Sequence, residues 1–242
     1  MSNPPHENTY GCAAHSKGAG GTSGAGGSGG GRHSDYPKPV IGVVGGIGSG
    51  KSVVSKMLEE LGCAVIDSDK AAHDVLREAK VKAELVRWWG PEILGADGEI
   101  NRKAVAGRVF GKPAEIKRLN ALVHPKVKER RDVQMAHWRD NPAVKGVVWD
   151  TPLLYEAGLD RECAAVIFVN TSFDKRLDRI SASRYWTREE LEKREKSQFP
   201  LDKKQELADY SIDNSGEVAA TRCQIREIFS LILSRKCPVC RR

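Results

Sequence analysis

Eight residues, Gly45 to Ser52, constrain the fold of this chain more than any other stretch of it. They are Gly-Gly-Ile-Gly-Ser-Gly-Lys-Ser and match the phosphate-loop pattern G-x-x-x-x-G-K-[ST]. The apolar run 40–44 before them predicts a buried strand. After them, apolar residues at helical spacing predict a helix with one buried face, formed by Val53, Val54, Met57, Leu58 and Leu61. Strand, loop and helix in this order predict an anion-binding cradle.

The chemistry of that loop predicts binding of a nucleoside triphosphate. Glycines let backbone N–H groups turn inward toward phosphate oxygens, and the helix N-terminus adds a positive dipole end. We expect Lys51 to reach the β- and γ-phosphates of ATP and the Ser52 hydroxyl to hold Mg²⁺. The full predicted nucleotide-contacting set of the loop is Gly46, Ile47, Gly48, Ser49, Gly50, Lys51, Ser52 and Val53. A glycine-rich turn without a ligand is the structural alternative.

Composition separates the ends of the chain from a folded part of roughly 200 residues, enough for one α/β core with an insertion. Residues 1–36 are mostly glycine, serine, alanine and polar residues, which predicts a disordered tail. That tail lacks the apolar core of a secretory signal. The sequence contains no run of 18 apolar residues, so we expect no membrane span. Six cysteines in a nucleotide-binding chain of 242 residues favour a reducing cytoplasm over a disulfide scaffold.

The net charge of +7 is concentrated in two places. Residues 235–242 form a basic tip that carries four Arg and Lys residues, and the stretch 175–204 is rich in arginine and lysine. A nucleic-acid-binding protein would more typically show a long basic stripe with aromatic residues. We therefore expect no nucleic-acid partner and interpret 175–204 as a lid over phosphorylated substrates. An NTPase that binds RNA or DNA stays open as an alternative.

Short apolar strands separated by helices predict a parallel sheet with helices on both faces. The predicted strands are 40–44, 63–66, 144–149, 164–169 and 210–212, while 70–142, 173–198 and 217–234 have helical patterns. In such sheets ligands bind beyond the carboxyl ends of the strands. The polar residues at these ends are Asp67, Asp69, Asp150, Asn170, Asp213 and Asn214.

Two carboxylates at strand ends are candidates for the chemistry of phosphoryl transfer. Asp69 is the best candidate for the residue that orients or deprotonates the acceptor, and its alternative role is the N-cap of a helix starting at Lys70. Asp150 resembles a Walker B carboxylate that binds Mg²⁺ through water. Its alternative role is a turn residue before Pro152.

Four arginines in the predicted lid could stabilise charge on the transferred phosphoryl group: Arg176, Arg179, Arg184 and Arg188. The alternative is a solvated helical face in which they alternate with glutamates at ion-pair spacing. His124, before Pro125, is typical of a helix end. Cys237 and Cys240 form a single C-x-x-C that lacks a second ligand pair, so we expect it to be inert.

Five segments together resemble the dephospho-coenzyme A kinase family, over roughly residues 39–235. The first is the strand, glycine loop and helix up to Asp67-Ser68-Asp69, where the family typically has Asp-Ala-Asp. The others are Asn101-Arg102-Lys103-Ala104 through Val109-Phe110, the His-Pro pair at 124–125, the Asp-Thr-Pro-Leu-Leu-Tyr-Glu run at 150–156, and Gln198 followed by Ala-Asp-Tyr-Ser-Ile-Asp-Asn at 208–214.

The resemblance implies a P-loop kinase that phosphorylates the 3′-hydroxyl of dephospho-coenzyme A with ATP and Mg²⁺. It implies Asp69 as catalytic base, aided by Lys51 and Arg184, with Asn214 near the adenine. Substrate contacts are implied for Asp67, Asp69, His124, Pro152, Leu153 and Glu156.

The same resemblance implies how the kinase is divided. A core of 37–69, 143–172 and 206–235 carries a helical CoA-binding subdomain at 70–142 and a lid at 173–205, and we favour a monomer. Two departures stand out: Val53 replaces a frequent Thr, and Ser183 stands where the lid usually has Arg, with Arg184 as its neighbour. Another small-molecule kinase of the same fold is the runner-up.

Overall fold

The computed structural model describes residues 36–234, and in them five strands form one parallel sheet. The predicted Gly-rich tail, apart from Tyr36, and the basic tip with its C-x-x-C pair lie outside the described residues. The strands, in the spatial order β2-β3-β1-β4-β5, are β1 (Val40–Gly45), β2 (Cys63–Asp67), β3 (Gly146–Asp150), β4 (Ala165–Asn170) and β5 (Tyr210–Asp213). The predicted parallel α/β fold is confirmed.

Helices connect the strands, as parallel pairing requires. Those of the described residues are α1 (Lys51–Glu60), α2 (Ser68–Leu76), α3 (Ala79–Trp89), α4 (Arg102–Val109), α5 (Pro113–Arg139), α6 (Phe173–Arg184), α7 (Arg188–Glu195), α8 (Leu201–Leu207) and α9 (Val218–Ser234). Short 3-10 turns lie at Pro91–Ile93 and Leu159–Glu162. None of these helices is long and apolar enough to cross a membrane.

β1 occupies the centre of the sheet because its side chains are apolar on both faces and both faces are covered. It pairs with β3 on one side and β4 on the other, with Val43 opposite Asp150 and Ile167. One face packs against α1 and α9 through Val54, Met57, Leu58, Ile225, Ile228, Phe229 and Ile232. Val53 is 46% exposed, so the predicted buried face of α1 is wrong at that residue.

The chain divides into two compact units, and the second is 66–142. Its helices α2 to α5 enclose a separate apolar core of Val75, Val81, Leu85, Ile93, Val105 and Val123. Its helical prediction agrees with the structure, apart from one isolated bridge between Leu94 and Ile100. Pro125 lies inside α5, so the prediction that His124 ends a helix is wrong.

The first unit contains β1, β3, β4 and β5, the phosphate loop and the helices from α6 onward. The stretch 173–198, predicted as one helical segment, contains two helices. α6 ends where Tyr185 takes a left-handed conformation with φ of 58°, and Thr187 then caps α7 by accepting a hydrogen bond from the Glu190 N–H.

Candidate functional site: the phosphate loop

The phosphate loop has a backbone shape that only glycine adopts without strain at two of its positions. Gly48 and Gly50 have φ values of 77° and 89°, in the left-handed region. There is also no room for side chains: a Cβ on Gly48 would lie 2.8 Å from Ile180 Cγ1, and one on Gly50 would overlap the Asn214 amide nitrogen. The glycines of the motif therefore serve close packing as well as turning.

The N-terminus of α1 is left open for an anion. Gly50 is its N-cap and has no side chain to accept hydrogen bonds from the first N–H groups of the helix. A phosphate would supply those acceptors, and the helix dipole favours it. Lys51 lies at this point, and its Nζ donates to Gly45 O at 3.2 Å and Gly46 O at 3.0 Å. Ser52, next in the first turn, is exposed.

Three side chains hold the loop in place by donating hydrogen bonds to the same backbone carbonyl. Ser49 O accepts from Asn214 Nδ2 at 2.8 Å, Thr171 Oγ1 at 2.9 Å and Arg179 Nη1 at 3.3 Å. Asn214 is buried, and its Oδ1 in turn accepts from Thr221 Oγ1 at 3.1 Å. The structure thus places Asn214 under the loop; its contact with an adenine stays a prediction.

The four arginines of the predicted lid differ sharply in their surroundings. Arg176 is buried and donates to the loop at Ile47 O, and Arg179 donates to Gly48 O, Ser49 O and Asn214 O. Arg184 is exposed with its guanidinium over the Trp186 ring, and Arg188 pairs with Asp174. Arg176 and Arg179 contact the loop, whereas the family resemblance favoured Arg184. The role of Arg184 stays a prediction.

Asp150 ends β3 in the same unit as the loop. It is 8% exposed, and its Oδ2 accepts a hydrogen bond from Ser55 Oγ of α1 at 3.1 Å. This bond ties the carboxylate to the helix that begins with Lys51 and Ser52. Asp150 and the loop's helix are thereby brought together, while its binding of Mg²⁺ through water stays a prediction.

The segment after β3 is anchored by a lysine that sequence reasoning missed. Lys204 of α8 is fully buried; its Nζ donates to Pro152 O at 3.0 Å and lies 3.1 Å from Glu156 Oε1. Glu156 also accepts from the Phe199 N–H at 2.7 Å. Of the three predicted substrate contacts here, Leu153 is a large apolar residue that is 42% exposed.

The three remaining predicted residues belong to the second unit. Asp67 is the N-cap of α2, where its Oδ1 accepts the Lys70 N–H at 2.9 Å. The prediction that Asp69 could be the cap is wrong, because α2 starts at Ser68 and Asp69 lies within its first turn. Asp69 is exposed and makes no hydrogen bond with another described residue. His124 is exposed on α5.

Comparison with known proteins gives a consistent picture. The family model described as dephospho-CoA kinase matches residues 39–220. The dephospho-CoA kinase of Corynebacterium efficiens is 36% identical over 196 residues, covering 81% of this chain and 98% of that protein. That of Geobacillus kaustophilus is 40% identical over 189 residues, covering 78% and 94%.

Solved structures agree. TT1252 from Thermus thermophilus is similar with a TM-score of 0.68 and 32% identity, covering 80% of this chain and 97% of that one. Dephospho-CoA kinase from Campylobacter jejuni is similar with a TM-score of 0.61 and 26% identity, covering 82% of this chain and 98% of that one.

Proposed function

Since this chain belongs to the dephospho-CoA kinase family, whose reaction phosphorylates dephospho-CoA to coenzyme A, we propose that Asp69 accepts the proton of the acceptor hydroxyl. ATP is the donor, held by the phosphate loop and Lys51. The acceptor is the 3′-hydroxyl of dephospho-CoA. The attacking oxygen gains electron density as its proton passes to the Asp69 carboxylate, and the γ-phosphoryl group leaves ADP.

The observation that supports Asp69 as the base is that it and the neighbouring carboxylate, Asp67, make different contacts. Asp67 is engaged as the cap of α2, while Asp69 has no partner among the described residues. β2 ends at Asp67, and ligands of parallel sheets gather beyond the carboxyl ends of the strands. A carboxylate that neither caps nor pairs is available to accept a proton.

The loop and its surroundings fit ATP and Mg²⁺. The uncapped N-terminus of α1 suits the phosphates, and Lys51 is close enough to exchange its bonds with loop carbonyls for phosphate oxygens. Ser52 would hold Mg²⁺ directly and Asp150 through water, since hydroxyl and carboxylate oxygens are ligands that Mg²⁺ accepts. When bound, the ion would neutralise charge on the β- and γ-phosphates.

The remaining assignments follow from the same proposal. Leu153, exposed beyond β3, contacts the substrate, while Pro152 and Glu156 shape its loop through Lys204. Asp67 and His124 stay proposed substrate contacts in the second unit, and Arg184 a proposed contact to the transferred group. We further propose a monomeric cytoplasmic enzyme without nucleic-acid or membrane partners.

The test is a coupled assay with ATP and dephospho-CoA on the wild type, Asp69→Asn and Asp67→Asn. Asparagine keeps the size of both side chains and can still cap α2 at position 67, so neither variant should lose much stability. We expect kcat of Asp69→Asn to fall by about 10²–10⁴, the range for a positioned general base, with an unchanged dissociation constant for ATP. Asp67→Asn should be milder.

Two results would contradict the proposal. A silent Asp69→Asn beside an inactive Asp67→Asn would transfer the role of base to Asp67. A wild type that phosphorylates another small alcohol in a substrate panel, but not dephospho-CoA, would overturn the substrate.

A further inference from the structure

One largely buried ion pair beside the phosphate loop joins α6 to α7. Arg176 of α6 is 5% exposed, and its partner Glu195, the last residue of α7, has a side chain that is 17% exposed. The pair is formed by Arg176 Nη1 and Glu195 Oε1. Two residues on helices separated by a sharp turn are thus held together beside the loop.

The same guanidinium group also contacts the loop backbone. Its Nη1 donates to Ile47 O at 3.2 Å and its Nε to Thr171 O at 3.2 Å. A Cβ on Gly46 would lie 2.7 Å from Nη1, so the guanidinium rests directly against the loop at this glycine. Arg176 therefore touches the loop at two consecutive residues while it is bound to α7.

We infer that Arg176 is a positioning residue for the nucleotide, set in place by Glu195. A buried ion pair is a poor source of stability, since desolvation offsets most of its attraction. Glu195 also neutralises the charge of Arg176, which argues against a role in long-range attraction of phosphates. What the arrangement supplies is geometry: Nη1 bonds both Ile47 O and Glu195 while Nε bonds Thr171 O, so the position of α7 fixes the loop.

The inference rests on the proposed function in one respect, that the loop holds ATP. Its test therefore measures binding of a non-hydrolysable ATP analogue with Mg²⁺ by calorimetry, which needs no acceptor. The variants are Arg176→Gln, Arg176→Lys and Glu195→Gln. The matched control is Glu190→Gln, which removes the same charge from α7 but breaks only the exposed pair with Arg194.

We expect Arg176→Gln and Glu195→Gln to weaken analogue binding and raise the KM for ATP about tenfold, as for one lost hydrogen bond to a charged group. Arg176→Lys should fall between, because one ammonium group cannot also make the bond to Thr171 O that Nε donates. The KM for dephospho-CoA should stay within about twofold throughout, and Glu190→Gln should match the wild type.

Two outcomes would overturn the inference. Unchanged analogue binding with a lowered Tm would make the pair merely structural, and tighter binding in Glu195→Gln would make Arg176 an electrostatic attractor. If the single variants do not fold, Arg176→Met combined with Glu195→Gln leaves no unpaired buried charge and should still bind the analogue weakly. If the wild type were inactive on dephospho-CoA while the variants still showed these changes in analogue binding, the proposed substrate would be wrong and the inference about Arg176 would stand.

Discussion

At the scale of single residues, Lys51 is the side chain on which nucleotide chemistry depends most. Lys51→Ala should fold but lose kcat by roughly 10³-fold or more, because a fixed positive charge at the transferring group is a major catalytic contribution. Steady-state kinetics at saturating ATP, with circular dichroism to verify folding, measures this. Lys56→Ala, on the exposed face of the same helix, is the control and should stay active.

A folded Lys51→Ala enzyme with near-normal turnover would show that the loop, or Arg179 beside it, neutralises the phosphates without Lys51.

The sequence predicts the residues of the site better than it predicts their supports. Lys51 and the glycines follow from a contiguous motif whose spacing encodes its geometry. The groups that hold the loop come from far along the chain: Thr171, Arg179 and Asn214 all converge on Ser49 O. No local pattern reports that convergence, and a lone lysine such as Lys204 among other charges carries no sign that it is buried.

At the scale of elements, the turn between α6 and α7 contains a residue in a strained conformation. Tyr185 has a φ of 58° and is 89% exposed, so its side chain buries almost nothing in return. Tyr185→Gly should leave Tm unchanged or raise it, with a gain of up to about 1 kcal/mol from relief of the left-handed penalty. Thermal denaturation of the two proteins measures this.

The control for that substitution is Tyr185→Ala, which keeps a Cβ and should gain nothing. A clear loss of stability in Tyr185→Gly would show that the exposed ring contributes a contact, and would contradict the argument from strain.

A second element-scale prediction concerns the link between α5 and the start of α3. Hydrogen bonds from Lys126, and then Arg130, hold the pKa of the Glu78 carboxyl below its ordinary value. Because the folded-state pKa lies below the unfolded one, this stabilisation is present above about pH 4.3 and is lost as the pH falls through the folded-state pKa.

Glu78→Gln should therefore lower the free energy of unfolding at pH 7 by about 1 kcal/mol, and the difference should shrink as the pH falls through the folded-state pKa of Glu78. Urea denaturation at several pH values measures it. Glu129→Gln, an exposed change on α5, should show little difference at any pH. A Glu78 effect that persists unchanged in acid would assign it to packing rather than to charge.

The helix boundaries show where local patterns fail. Pro125 continues α5 although proline usually ends a helix, and α6 ends at a tyrosine rather than at a glycine. A window of neighbouring residues therefore does not show where either helix ends.

At the scale of the whole molecule, the distribution of the basic charge argues against a nucleic-acid partner. More than half of the net charge of +7 is contributed by residues 235–242, and many basic side chains of the described part pair within the chain, such as Arg87 with Glu84. Binding of single-stranded RNA should therefore be weaker than about 10 µM at physiological salt. A fluorescence titration at two salt concentrations measures this.

Tight binding would contradict that expectation if the logarithm of the association constant for RNA fell steeply with the logarithm of the salt concentration. Deleting 235–242 would then show whether the basic tip supplies the contacts.

The strand order β2-β3-β1-β4-β5 has a consequence for how the protein is made. β1 leaves the ribosome early, yet its partners β3 and β4 begin about 100 residues later. At about 5–20 residues per second, its apolar side chains wait about 5–20 s for a neighbour. The helical unit 66–142, which has an apolar core of its own, is complete by then. During synthesis, the central strand of the enzyme is thus a natural client for a chaperone, while the insertion that follows it can already have folded.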